Sequence, residues 1–275
     1  MAKYKLLKSV AKTIDKVKGE DAMLKLVSPL PDIEKYNRIM FIGPHPDDIE
    51  IGAGATIKKM VKAGKDIFML ICTDGGSGVN DDKITPKDIA DMRWKEAQDA
   101  AKVLGVTKLE TLNFEDGGPY VEWDLAKEIA KKILEFRPEV VICPDPNLPT
   151  ETHPDHLKCG RATCDALWLS AHYHVAKRNG IDVTVDQLVN IDALAFYYTN
   201  RANTFVEITK EDEDKREKAI RLHTSQMSGT DGLGTLLYLS LRDVHMGEKC
   251  GVPLAEGFFV MHNMHRHCVS ESSNW

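Results

Sequence analysis

The chain has 275 residues with 36 basic and 42 acidic side chains, a net charge of −6, 43% hydrophobic and 28% charged residues. That composition excludes a disordered or collagen-like chain, and the length admits one large domain or two small ones. The acidic balance argues against a general phosphate-backbone binder, which needs clustered Lys and Arg, and no run of 18 apolar residues offers a membrane span.

The first twenty residues are basic but lack an apolar core, so they do not read as a secretory leader. Tyr4, Leu7, Val10, Ile14 and Val17 recur at spacings of three and four, which predicts one apolar helical face with lysines opposite. Ser28-Pro29-Leu30-Pro31 breaks that pattern. Residues 1–35 are expected to form a helical arm that packs on the domain or on another subunit, a reading preferred over a membrane-surface helix. Residues 36–275 are expected to form a single α/β domain with a C-terminal elaboration.

Residues 38–42, 66–72 and 140–143 are short, nearly continuous apolar runs, as suits strands of a parallel sheet covered on both faces. Between them, residues 86–104 open on Thr85-Pro86-Lys87-Asp88 and stop at Gly105: a capping hydroxyl, a first-turn proline and a carboxylate at the third position. Residues 121–136 form another helix, ending before Pro138. The β-α-β-α-β-α-β rhythm predicts an α/β, Rossmann-like, doubly wound and mostly parallel sheet with helices on both faces. Residues 193–198 and 204–208 read as two further strands, and Thr209 caps a helix running through Leu222. Six cysteines, at 72, 143, 159, 164, 250 and 268, contain no CxxC and read as reduced thiols of a cytoplasmic protein.

Two clusters carry chemistry. His45-Pro46-Asp47-Asp48 follows the first strand directly, where open α/β sheets keep their ligands. If Pro46 starts a helix, His45 and Asp48 reach one point from its first turn while Asp47 points elsewhere. The second cluster, His153-Pro154-Asp155-His156, lies about ten residues past another strand, with the same spacing of three between its histidines. One His-Pro-Asp is usually a turn in which Asp caps a helix. Two, each after a strand of one sheet, suggest that a common rim gathers them. Ligands of type His, Asp and His leave a zinc position open, the catalytic rather than the closed structural pattern. A spare carboxylate and a spare histidine then supply acid-base groups.

HPDDIEIGAGATI resembles the signature of the PIG-L/LmbE-like zinc de-N-acetylases, with Ala55 where the family commonly carries a glycine. The resemblance continues through Thr73-Asp74-Gly75-Gly76-Ser77-Gly78, through Arg93 and Glu96, through HPDH at 153–156 and through Ala255-Glu256-Gly257-Phe258, covering roughly residues 38–260. It implies that His45, Asp48 and His156 bind Zn²⁺, with Fe²⁺ or another divalent metal as the alternative. Asp47 would then be the general base and His153 a charged stabiliser of the oxyanion, its ring held by Asp155. Arg93, with Asp74 and Gly75 of the glycine-rich loop, would contact the substrate. The implied reaction removes the acetyl group from a GlcNAc-containing small molecule of the GlcNAc-malate, GlcNAc-inositol or chitobiose type and releases acetate. The resemblance also suggests a homo-oligomer.

Two other readings compete: a metal-dependent phosphoesterase or nucleoside hydrolase, and a non-catalytic glycan-binding module. The first needs cations that only Arg93 offers. The second has no use for acid-base groups beside a complete ligand set. His223, at the end of a helix, is a candidate for the rim of the site. His262, His265 and His267 read as structural rather than as a second metal site, and Gly75-Gly76-Ser77-Gly78 lacks the lysine of a phosphate loop.

Overall fold

The computed structural model describes residues 2–18, 26, 28–227, 230–270 and 272. After α1 (Ala2–Lys18), the chain alternates strand and helix: β1 (Arg38–Gly43), α2 (Asp48–Lys62), β2 (Asp66–Thr73), α3 (Pro86–Leu104), β3 (Lys108–Phe114), α4 (Glu122–Phe136) and β4 (Val140–Pro144). Then come α5 (Pro154–Ala171), α6 (Tyr173–Arg178), β5 (Ala193–Tyr197), β6 (Thr204–Glu207), α7 (Lys210–Arg221), α8 (Thr230–Cys250) and β7 (Ala255–His262).

The strands form one sheet in the order β3-β2-β1-β4-β5-β7-β6. The first five are parallel, and β7 runs antiparallel to both β5 and β6. The doubly wound, mostly parallel α/β expectation is therefore met, with an antiparallel edge. Side chains alternate across the sheet because successive strand residues face opposite ways. Along β1, Met40 and Ile42 enter a core with Phe68, Leu70, Ile129 and Phe136. Ile39 and Phe41 enter the other, with Ile49, Ile57, Leu104 and Tyr197. Helices α4 and α5 cover the first face, and α2, α3 and α7 the second. Each large apolar side chain so buried contributes about 1.5–3 kcal/mol before the cost of ordering it.

The helix signals act as read. The Thr85 hydroxyl accepts from the Asp88 N–H, Pro86 opens α3, and Gly105 ends it in the left-handed conformation at φ 88°. Thr209 and Asp212 form a reciprocal capping box on α7. In α1, Tyr4, Leu6, Leu7 and Val10 are exposed.

The winding order sets the site. From β1 the chain moves outward to β2 and β3, then returns to lay β4 on the other side of β1. The crevice at that reversal, beyond the carboxyl ends of β1 and β4, is where such sheets hold ligands. Both His-Pro-Asp clusters emerge there.

Candidate metal and catalytic site

The turn from β1 into α2 is strained. Asp47, its N-cap, has φ 127°, a backbone region that a residue with a Cβ rarely adopts and that persists where surroundings impose it. Two glycines let those surroundings close in. A Cβ on Gly52 would lie 2.3 Å from the Tyr197 ring, and one on Gly54 would lie 2.7 Å from Arg216 Cγ. Helix α2 also breaks at Ala53, with φ −152°. The freed N–H groups of Ala55 and Thr56 donate to Glu256 Oε1 and Oε2, at 3.2 and 2.7 Å. Glu256 is held in turn by Arg216 at 3.0 Å, which also makes a two-pronged pair with Asp243 at 3.1 and 2.6 Å. The Ala-Glu-Gly-Phe segment thus braces the helix that carries the first cluster.

His45, Asp48 and His156 offer ligand atoms that all lie within 4.8 Å of one another. Asp48 Oδ2 sits 3.0 Å from His45 Nδ1 and 3.4 Å from His156 Nε2. The opposite edge of each ring is held by carboxylates. His45 Nε2 lies 3.2 Å from Asp116 and 3.3 Å from Asp155, and His156 Nδ1 lies 2.9 Å from Glu151. Two imidazoles and a carboxylate on one point, each ring steadied from behind by a carboxylate, are a donor set with outer partners that could hold a divalent metal. His45 also belongs to a second group, with Asp116, His153 and Asp155. There the carboxylates serve as its outer partners.

Charge and burial act on these groups together. Burial works against a proton on His45, yet hydrogen bonds to Asp116, Asp155 and Asp48 hold its pKa well above the usual value. His156 is likewise raised by Asp48 against burial. Burial would raise Asp48, but the two histidines bring it well below the carboxylate range. Asp47 goes the other way: burial and the neighbouring Asp48 charge push it up to about 7, against Arg93, His223 and His45. A carboxyl balanced near neutral pH and facing a cavity is suited to taking and returning a proton.

That cavity has a volume of about 400 Å³ and is walled by Asp47, Arg93, Asp116, His153 and Gln226, among others. Arg93 is buried within the wall. Its guanidinium donates to the carbonyls of Gly75 (3.1 Å) and Pro46 (2.9 Å) and stands 3.4 Å from Asp47 Oδ2. It therefore braces the strained turn as well as facing the cavity. Gly75, at φ 71°, lets its loop approach Pro46, and Ser77 and Gly78 of that loop reach the wall. Asp74 does not line this cavity. Its Oδ1 accepts from the Gly76 and Asp116 N–H groups, at 2.9 and 3.1 Å, and so shapes the loop. Glu96 fixes the opposite wall by accepting from Thr224 and Ser225, which sets Gln226 against the Gly78 carbonyl.

Three expectations meet a different geometry. Asp155 does not hold the His153 ring; its carboxylate takes Gly117 N–H at 2.7 Å, Tyr120 O–H at 2.8 Å and the His45 edge. His153 Nδ1 instead accepts the Asp155 N–H, capping α5. Burial and the neighbouring His45 and His156 lower the His153 pKa, which favours the neutral imidazole over the charged one expected from the resemblance. His223 is fully buried, 3.4 Å from Glu50 beneath the site, and not at its rim. His262 and His265 serve the C-terminal turn and Ser28, and none of the three tail histidines belongs to a ligand group among the described residues.

Asp116 and Glu151 were missed in the sequence. Asp116 carries the same signal as the two clusters, an acid just past the carboxyl end of a parallel strand. Glu151 lies within five residues of both histidines.

A family model described as PIG-L, GlcNAc-PI de-N-acetylase, matches residues 40–167. The diacetylchitobiose deacetylase of Thermococcus kodakarensis is 36% identical over 234 residues, 85% of each chain. The chain belongs to the PIG-L family. The structure of the N,N′-diacetylchitobiose deacetylase from Pyrococcus horikoshii superimposes with a TM-score of 0.79 at 32% identity, covering 91% of this chain and 96% of that one. A 1D-myo-inositol 2-acetamido-2-deoxy-alpha-D-glucopyranoside deacetylase of Kineococcus radiotolerans is 30% identical over 196 residues, 60% of this chain and 54% of its own length.

Proposed function

We propose that the chain is a metal-dependent N-deacetylase that releases acetate from a GlcNAc-containing small molecule, with the diacetylchitobiose type preferred over the GlcNAc-inositol type. The observation that carries this reading is the His45–Asp48–His156 donor set with Asp47 and His153 at the same cavity. The order of preference follows similarity. The diacetylchitobiose deacetylases match more of the chain, and more of their own length, than the inositol-conjugate enzyme.

Hydrolysis breaks the amide C–N bond and forms a C–O bond from water. A divalent ion on the three ligands, for which we favour zinc over Fe²⁺, would acidify water and polarise the acetamide carbonyl. Asp47 takes the proton from the attacking water and can pass it to the departing amine, since its affinity lies near neutral pH. His153 Nδ1 is engaged as an acceptor, which leaves the ring proton on Nε2. We assign it a neutral N–H donor role toward the developing oxyanion. Arg93 holds Asp47 in its strained position. The cavity's carboxylates disfavour the phosphoester alternative, because the buried Arg93 is already committed to Gly75, Pro46 and Asp47.

The test is acetate release from N,N′-diacetylchitobiose, GlcNAc-inositol, GlcNAc-malate and free GlcNAc, using chelated and zinc-restored protein. Zinc-dependent release, greatest from diacetylchitobiose, is expected. Bound metal with no acetate from any of the four overturns the deacetylase reading.

A further inference from the structure

A further cavity, of about 450 Å³, lies between α5 and the strands β5 and β7. It lies within the usual size range of small-molecule sites and shares no described lining residue with the cavity at the His45–Asp48–His156 group. Helix α5 packs over β1 and β4, so the face of β5 and β7 beside it is left for other parts of the chain to close. Leu167 and Trp168 of α5 form one wall. Phe196 and Phe259 form the floor, their rings 13° from parallel with centroids 6.4 Å apart. The turn after β7, Asn263–Arg266, brings Arg266 into the lining.

The lining joins apolar and aromatic walls to cations and, among the described residues, contains no Asp or Glu. A chain of net charge −6 thus keeps an electropositive concavity here. Its two guanidinium groups differ. Arg201 lies 4.1 Å over the Phe259 ring and is matched by Asp145 at 3.4 Å. Arg266 donates from Nη2 to the Ile191 carbonyl and to Asn263 Oδ1, at 2.7 and 2.9 Å, but its Nε is buried with no acceptor. A buried donor left unpaired is costly and uncommon, and the strongest partner for a guanidinium is an anionic oxygen. Burial also works against the Arg266 charge, with Asp192 and Cys164 acting the other way. Trp168 is half exposed, so one aromatic wall meets solvent, with its ring centroid 3.8 Å from that of His172.

We infer that this cavity is a binding site for a small organic carboxylate with an apolar body. The carboxylate meets Arg266, and the body lies between Leu167, Trp168 and the Phe196–Phe259 floor. A neutral apolar molecule would leave Nε unpaired, an organic cation would meet two guanidinium groups, and inorganic phosphate would leave the aromatic floor unused. No residue of the metal or acid-base groups takes part, so the site stands whether or not the chain is a deacetylase.

The test is calorimetric titration of the full chain with octanoate, octylamine, 1-octanol and inorganic phosphate, first zinc-loaded and then chelated. Saturable binding of one octanoate per chain is expected, about tenfold or more tighter than the amine, the alcohol or phosphate. Chelation should leave it unchanged, a necessary control because carboxylates also bind metal ions. In Arg266→Gln the affinity for octanoate should fall by about tenfold or more while that for octanol is kept. In Trp168→Ala, where a half-exposed ring is removed without opening the core, both should weaken. If Arg266→Gln loosens the turn after β7 and fails to fold, Trp168→Ala alone decides. The site is overturned by equal binding of octanoate and octanol, by octanoate binding that chelation abolishes, or by octanoate binding untouched in either folded variant. A wild type that binds no octanoate also overturns it, and a changed oligomeric state in Trp168→Ala would then give this face to a second copy.

Discussion

Asp47 combines a strained backbone, a buried carboxyl and a position beside the three groups proposed to hold the metal. Its pKa, about 7 in the folded protein, lies above the ordinary value of 3.8. Folding therefore favours the protonated form. The associated stability is complete at about pH 4 and is lost as the pH rises toward and through 7. Asp47→Asn removes the ionisation. The metal-free variant is expected to be more stable than metal-free wild type at pH 8 by up to about 4 kcal/mol, and nearly equal to it below about pH 4. Thermal melts at the two pH values check this. With metal restored, the variant should bind the ion yet lose ~10²–10⁴ in kcat. Loss of the ion with the activity would mean that Asp47 is a ligand. Glu151 offers a complementary test, because it touches the His156 ring and the His153 N–H but belongs to neither ligand group. Glu151→Gln should weaken metal binding by about 10–100-fold, with catalysis at saturating metal much less affected. A competitive-chelator titration reads the first effect and a metal-saturated assay the second.

At the scale of elements, α2 depends on parts contributed from far along the chain. Its break at Ala53 is tolerable because Glu256 of β7 takes two freed N–H groups, and Arg216 of α7 neutralises Glu256 and Asp243 inside the core. Replacing Arg216 by Met leaves two buried carboxylates unpaired. The expected loss is about 3–5 kcal/mol in denaturant unfolding at pH 8. The loss should shrink at pH 5, where the orphaned carboxylates can protonate, whereas a purely packing effect would not change with pH. None of this network was legible in the sequence, since Gly52, Gly54, Arg216 and Glu256 meet only through the fold. Local chemistry was legible: Thr85, Pro86, Gly105 and Thr209 announce helix ends because capping is decided within four residues. Strand β3 was implied only by the rhythm of its neighbours, as its KLETLNF sequence is an edge strand largely half-buried along its length. Helix α8 was missed because apolar residues lie on both of its faces. Leu236 and Leu239 are buried while Leu233, Leu237, Tyr238 and Leu241 are exposed, so no apolar-polar periodicity marks its first half. Its apolar outer stripe, together with the exposed residues of α1, is where an oligomer contact would be sought.

For the whole molecule, the sheet's reversal between β1 and β4 makes residues some 110 positions apart into one site. The two clusters were legible because each lies past the carboxyl end of a predicted strand, the first directly and the second after a short loop, and their convergence follows from strand order. What strand order does not contain is the set of carboxylates behind the imidazoles. Hydrogen bonds to Asp116, Asp155 and Asp48 hold the His45 pKa well above its usual value, and Asp48 raises that of His156. A metal ion must displace those protons, so binding releases them and the apparent affinity falls as the pH is lowered. An ion that binds only the folded chain stabilises it by RT ln(1 + [L]/Kd), about 2.7 kcal/mol at a hundredfold excess over Kd. Chelation at pH 8 should therefore lower Tm by several degrees, and added Zn²⁺ should restore it. At pH 5 the same addition should give a much smaller shift, while a proton count by calorimetry in buffers of different ionisation enthalpy should show release on binding. A Tm that ignores chelator and zinc alike at pH 8 would remove the ion from the His45–Asp48–His156 group, and with it the reason why three imidazoles and four aspartates share one crevice.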